Sequence, residues 1–168
     1  PLSISNMRSD HKYGVFEIGM NKPGEILKLS SLVKPHLAAI TNISEAHLEN
    51  FKNTKGIAKA KSEIIHNIQK GGTVILNRDE KFFNYFKSIA EKKGISVKSF
   101  GYSEKSNIKF INLKKRRKNF LLKVLVDNQY ISLNISNNNN SHVMNILCCL
   151  AVLKELNLNF IKIRNIFK

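Results

Sequence analysis

The chain has 168 residues, 42% of them hydrophobic, with 28 lysines and arginines against 12 acidic residues and a formal charge of +16. This composition is too apolar for a disordered chain, and no apolar run approaches the roughly 20 residues that cross a bilayer. The positive balance would suit a nucleic-acid partner. However, the lysines are dispersed, no aromatics interleave with the densest cluster, and the abundance of Lys, Asn and Ile matches the coding bias of an AT-rich genome.

In chain order, YGVFEIG at 13–19 is a short apolar run bounded by glycine, which predicts a buried strand. Residues 24–33 predict a short helix and PHLAAITNI at 35–43 a second strand. The pattern at 54–69 is helical, with Gly71 and Gly72 as its stop signal. TVILN at 73–77 predicts a third strand, 80–93 a helix ended by Gly94, and SVKSFGY at 96–102 a fourth strand. Strands alternating with helices argue for a parallel sheet covered on both faces.

The pattern then changes to three strand-like runs, NIKFINLKK, NFLLKVLV and QYISLNIS, joined by short polar turns. Asp127 and Asn128 form the second turn, and the basic cluster at 114–118 is expected at the tip of the first hairpin. The asparagine run at 137–140 reads as a loop, Ser141 as the cap of a helix to about 156, and Asn159 as the opening of another. Cys148 and Cys149 are adjacent in that apolar helix. They fit neither a disulfide nor a zinc spacing and are expected to be buried free thiols. The predicted fold class is α/β: a mostly parallel sheet flanked by helices, with an attached antiparallel meander.

On a helix at 100° per residue, Ile57, Lys61, Ile64, Ile65 and Ile68 share one stripe with Lys61 near its middle, whereas Lys59 projects from the opposite side with His66 and Lys70. Two readings of Lys61 stay open. Its methylenes can lie on the core with the ammonium in water. Alternatively, desolvation can release the neutral amine, which adds CO₂ to form a carbamate, an oxygen ligand for hard cations such as Mg²⁺. Glu17, in an otherwise apolar run, and His47, just beyond the second strand, are the candidate partners. Ligands collect at the carboxyl ends of parallel strands, although either residue alone is as readily an ion-pair or packing residue.

Three stretches, FEIGMNKPGEI (16–26), TNISEAHLENF (41–51) and GIAKAKSEI (56–64), resemble in order and spacing the central domain of the Mur ligases. LNRDE (76–80) and SHVMNILCCLAVL (141–153) resemble the family's LNxDD turn and HNxxNxLAAxAV helix, so the likeness covers nearly the whole chain. It implies a Rossmann-like, P-loop-type ATP-binding domain over 1–156, with 157–168 beginning the connection to a further domain. The phosphate-binding loop is then expected upstream of Pro1, and the chain alone is expected to form no amide.

The resemblance also implies roles. Glu17 would bind the Mg²⁺ that bridges the terminal phosphates of ATP. His47 and the Lys61 carbamate would hold a second Mg²⁺, and Asn145 would lie against the adenine. The branch of the family whose EIGMNxPGEI stretch is shared here joins D-alanyl-D-alanine to UDP-N-acetylmuramoyl-tripeptide through an acyl phosphate. It acts in the bacterial cytoplasm, and a monomer without nucleic acid or membrane span is expected. A different Mur-type ligase or a folylpolyglutamate-synthase-like ligase is the alternative within the class, and a basic nucleic-acid-binding module the alternative outside it. Two positions depart from the family pattern: Ser141 replaces its histidine, and Asn139 a glycine.

Overall fold

The computed structural model describes residues 2–43, 51 and 53–159. Short β-rich runs form β1 (Leu37–Ile40), β2 (Thr73–Asn77) and β3 (Ser96–Gly101), which pair in parallel. The longer runs β4 (Ile108–Lys115), β5 (Phe120–Val126) and β6 (Gln129–Ile135) form the antiparallel meander. Phe100 and Gly101 pair in parallel with Ile108 and Lys109, so the two halves make one six-stranded sheet in the order β1-β2-β3-β4-β5-β6. Asp127 and Asn128 turn the last hairpin with φ of 46° and 64°, the left-handed pair that a two-residue loop requires. The basic cluster at 114–118 sits at the β4–β5 tip, where the Arg116 amide donates to the Asn119 carbonyl.

The helices are the single turn α1 (Leu2–Ser5), then α2 (Glu25–Val33), α3 (Thr54–Ser62), α4 (Phe83–Lys92) and α5 (Asn140–Glu155). Strand alternation divides the core between the sheet's two faces. In β2, Ile75 packs with Phe100, the meander and α5, whereas Val74 and Leu76 pack with Ala58 of α3 and with Phe83, Phe86 and Ala90 of α4. On α5 the stripe Val143, Ile146, Leu147, Leu150 and Ala151 recurs at helical spacing and is buried. A third cluster, Met20, Ile26, Phe51, Ile57 and Ala60, ties α2 and its preceding segment to α3.

Several expectations are corrected. Residues 13–19 form no strand: they lie outside regular secondary structure, with Tyr13 and Val15 exposed. An apolar run becomes a strand only with a ladder partner, and β1, at the sheet's edge, pairs only with β2 among the described residues. The helix expected over 54–69 ends as α-helix at Ser62 and continues as a 3₁₀ segment, Glu63–Asn67. There the Ser62 hydroxyl donates to the Lys59 carbonyl, and the side chains of Glu63 and Asn67 are drawn across to α2. The cap of α5 is Asn139, not Ser141; its Oδ1 accepts from the Ser141 amide, so the asparagine run supplies a helix start as well as a loop. Cys148 is buried but Cys149 is exposed, because adjacent helical positions face about 100° apart. The helix expected to open at Asn159 lies outside the described residues.

Candidate functional site

The carboxyl ends of β1, β2 and β3 and the first turns of α5 surround a cleft of about 280 Å³. Strand ends splay where a parallel sheet meets its covering helix, leaving backbone and short polar side chains facing the gap. Here they are Asn42 after β1, Asn77 and Asp79 at the end of β2, Tyr102 after β3, and Asn140 and Asn145 of α5. Asn145, singled out from the sequence, therefore faces a cleft that it lines together with three further asparagine amides, the carboxylate of Asp79 and the ring of Tyr102.

Asp79 organises one wall. Its carboxylate accepts from the backbone amides of Tyr102 (2.6 Å) and Ser103 (2.9 Å), while its own amide donates to Asn77 Oδ1 at 3.0 Å. This approach needs a glycine at the end of β3: Gly101 has φ of 148°, and a Cβ there would stand 2.3 Å from Asp79 Oδ2. The Tyr102 hydroxyl donates across the cleft to Asn140 Oδ1.

Lys61 is half-buried on α3. Its Nζ donates to the Asn42 carbonyl at 2.9 Å, an exposed contact at the edge of the cleft. Burial holds its pKa below the ordinary lysine value, and the carboxylate of Glu80 pulls the other way. Glu80 also accepts from the Ile43 amide at 3.0 Å. Lys59 is exposed, as are His66 and Lys70.

The other two candidates stand differently. Glu17 is exposed on the irregular segment before α2, between the half-buried Phe16 and Ile18, so the alternation that points it outward survives without a strand. His47 lies outside the described residues. Among those described, no three His, Cys, Asp or Glu side chains form a metal cage. The structure thus joins Lys61 to the cleft through Asn42, which lines the same space as Asn145.

Sequence reasoning missed four residues. Asp79 and Glu80 stand in LNRDE with no role assigned by the sequence, and no local pattern in the sequence marks Tyr102 or Glu63. Glu63 accepts from the Gly24 amide (2.8 Å) and the Leu27 amide (3.0 Å), capping α2 from another element. Asn67, one turn on, donates to the Leu27 carbonyl and to Ser30 Oγ, each at 2.8 Å. The signal was an acid two residues after Lys61, but a cap supplied from 36 to 39 positions away leaves no local pattern.

Residues 1–153 match the family described as the Mur ligase middle domain. The chain belongs to that family. A UDP-N-acetylmuramoyl-tripeptide–D-alanyl-D-alanine ligase of Rickettsia prowazekii is 38% identical over 135 residues, which are 80% of this chain and 30% of that protein. The chain thus spans under a third of that relative's length. Among solved structures, MurF from Acinetobacter baumannii superposes with a TM-score of 0.87 at 26% identity, covering 96% of this chain and 35% of that one. MurF from Thermotoga maritima, solved in complex with ADP, shares the fold with a TM-score of 0.75 at 20% identity, over 85% of this chain and 33% of that one. In this Mur ligase middle domain the sheet is continuous into the meander, and no described helix is long and apolar enough to cross a membrane.

Proposed function

We propose that this middle domain is the ATP-binding part of an amide ligase that joins D-alanyl-D-alanine to UDP-N-acetylmuramoyl-tripeptide, in peptidoglycan synthesis in the bacterial cytoplasm. The observation that carries the reading is the amide-lined cleft at the carboxyl ends of β1–β3, with Asn145 facing it and Lys61 anchored at its rim, in a chain 38% identical to such a ligase. Residues 1–156 are the domain in this reading, residues 157–168 begin the connection to a further one, and the protein acts as a monomer.

The donor set suits the cofactors. Neutral amides offer both donors and acceptors to an adenine edge, and Asn145 is the residue assigned to it. The exposed carboxylate of Glu17 suits the hard cation at the terminal phosphates, and Lys61 would hold a second one with His47 once its amine, half-buried and low in pKa, carries a carbamate. Mg²⁺, when bound, neutralises charge on the transferred phosphoryl and acyl oxygens. Lys61 keeps its Nζ on the Asn42 carbonyl, which sets the direction from which the carbamate oxygens would project.

The test uses protein expressed from the complete gene that encodes this sequence. Phosphate release is expected to require ATP, the UDP-linked tripeptide and D-alanyl-D-alanine together. Lys61→Ala is expected to lower the rate by orders of magnitude, with partial recovery in short carboxylates. Turnover with a single amino acid, or with glutamate on a folate, in place of the dipeptide would overturn the substrate assignment. Full rates in Lys61→Ala would overturn the role of the lysine.

A further inference from the structure

We propose that the ring of Tyr102 is the stacking surface for the nucleobase, so that the base lies between this face and the amides of α5. The proposal rests on the nucleotide reading above and adds to it a residue that none of the family motifs marks.

Tyr102 is exposed at 42% and lines the cleft, yet it is held from three directions. Asp79 grips its backbone amide and that of Ser103. Its hydroxyl is tied to Asn140, and its ring meets Phe110 edge-on, with centroids 4.8 Å apart and planes at 61°. An aromatic ring already fixed in orientation loses little freedom when a planar ligand settles on it. Most exposed tyrosines move freely; this one is pinned by neighbours from the turn after β2, from β4 and from α5.

The rest of the cleft selects the ligand's chemistry. Asn42, Asn77, Asn140 and Asn145 line it beside the carboxylate of Asp79, and among the described residues neither lysine nor arginine does. Such a wall disfavours a phosphate or a sugar acid, which would call for cations. It suits a flat heterocycle whose edge carries both donors and acceptors, with π-stacking on one face. Asn140 connects the two parts, because the hydroxyl it accepts from is the one that orients the ring.

The experiment is saturation-transfer NMR on the 168-residue chain with millimolar ADP, read at adenine H2 and H8, alongside tyrosine fluorescence. The chain contains no tryptophan and four tyrosines, so tyrosine emission is observed directly. The wild type is expected to transfer saturation to the adenine protons and to lose tyrosine emission as ADP is added. Tyr102→Phe keeps the ring and is expected to bind within about two-fold of wild type but without that quenching. Tyr102→Leu is expected to weaken binding at least about five-fold, the lower end of a base–aromatic stack. Wild-type binding by Tyr102→Leu, or undiminished quenching in Tyr102→Phe, would overturn stacking while leaving the nucleotide reading intact. Absence of transfer to the wild type, both in this chain and in protein expressed from the complete gene, would overturn both. The Tyr102→Phe arm decides the matter even where Tyr102→Leu folds poorly.

Discussion

Lys61 and Glu80 hold opposite ends of a single peptide group: the lysine Nζ donates to the Asn42 carbonyl at 2.9 Å, and the Ile43 amide of the same peptide donates to Glu80 Oε2 at 3.0 Å. Two residues 19 positions apart in sequence thereby set the plane in which the chain leaves β1 toward His47. The acceptor at Glu80 is needed because the Ile43 amide is partly buried, and an unmet amide there costs about 1–3 kcal/mol. Glu80→Ala is therefore expected to lose about that much in urea unfolding. Glu80→Gln, which retains an accepting oxygen, is expected to lose less than half as much. Equal losses would show that charge, not the hydrogen bond, holds the peptide.

Gly101 is the position at which a single methyl group should matter most. With φ of 148° and a Cβ that would stand 2.3 Å from Asp79 Oδ2, Gly101→Ala combines backbone strain with displacement of a carboxylate that holds two amides. The expected loss is about 2–3 kcal/mol, a fall in Tm of roughly 5–10 °C for a domain of this size. In an Asp79→Ala background the same substitution should cost clearly less, because the clash is gone and only the strain remains. Additive losses in that double-mutant cycle would contradict the proposed conflict.

Glu63 offers a test of capping at a distance. Glu63→Ala frees the amides of Gly24 and Leu27 at the start of α2, and a loss of about 1–2 kcal/mol follows from removing an N-terminal cap. Hydrogen exchange at these two amides should accelerate more than exchange in the β5–β6 hairpin. Uniform acceleration across the domain would mean that Glu63 acts on global stability alone.

The cysteines provide the pH dependence. Burial pushes the Cys148 thiol up to about 12 from an ordinary value of 9.0, and burial also raises Cys149. Because the folded pKa of Cys148 lies above the unfolded one, its contribution is complete below pH 9. It is then lost as pH climbs toward 12, by up to about 1.4 kcal/mol per pH unit. Cys148→Ala should flatten this alkaline decline while lowering stability at pH 7 modestly. A thiol reagent at pH 8 should modify the exposed Cys149 first and reach Cys148 only on unfolding; simultaneous modification would refute the burial difference.

Much of the fold was legible because its signals are local. TVILN became β2 at the residues expected, the Asp127–Asn128 turn took its two left-handed conformations, and the α5 stripe buried the faces its spacing required. The errors share a cause. The run at 13–19 has the composition of a strand but no ladder partner among the described residues, and the helix beginning at Thr54 tightens where Glu63 and Asn67 reach across to α2. Pairing and cross-element bonds are set by neighbours that no window of the sequence contains.

The sequence alone determined the α/β class, the family likeness, and the candidates Glu17, His47, Lys61 and Asn145, because periodicity and motif spacing are properties of adjacent residues. Only the tertiary structure decided what these groups meet: Lys61 on the Asn42 carbonyl, Asn145 opposite Tyr102 in one cleft, and Asp79 enclosed against Gly101. A side chain's partner and its degree of desolvation depend on distances between distant segments, and those exist only once the sheet has brought β1, β2, β3 and α5 together.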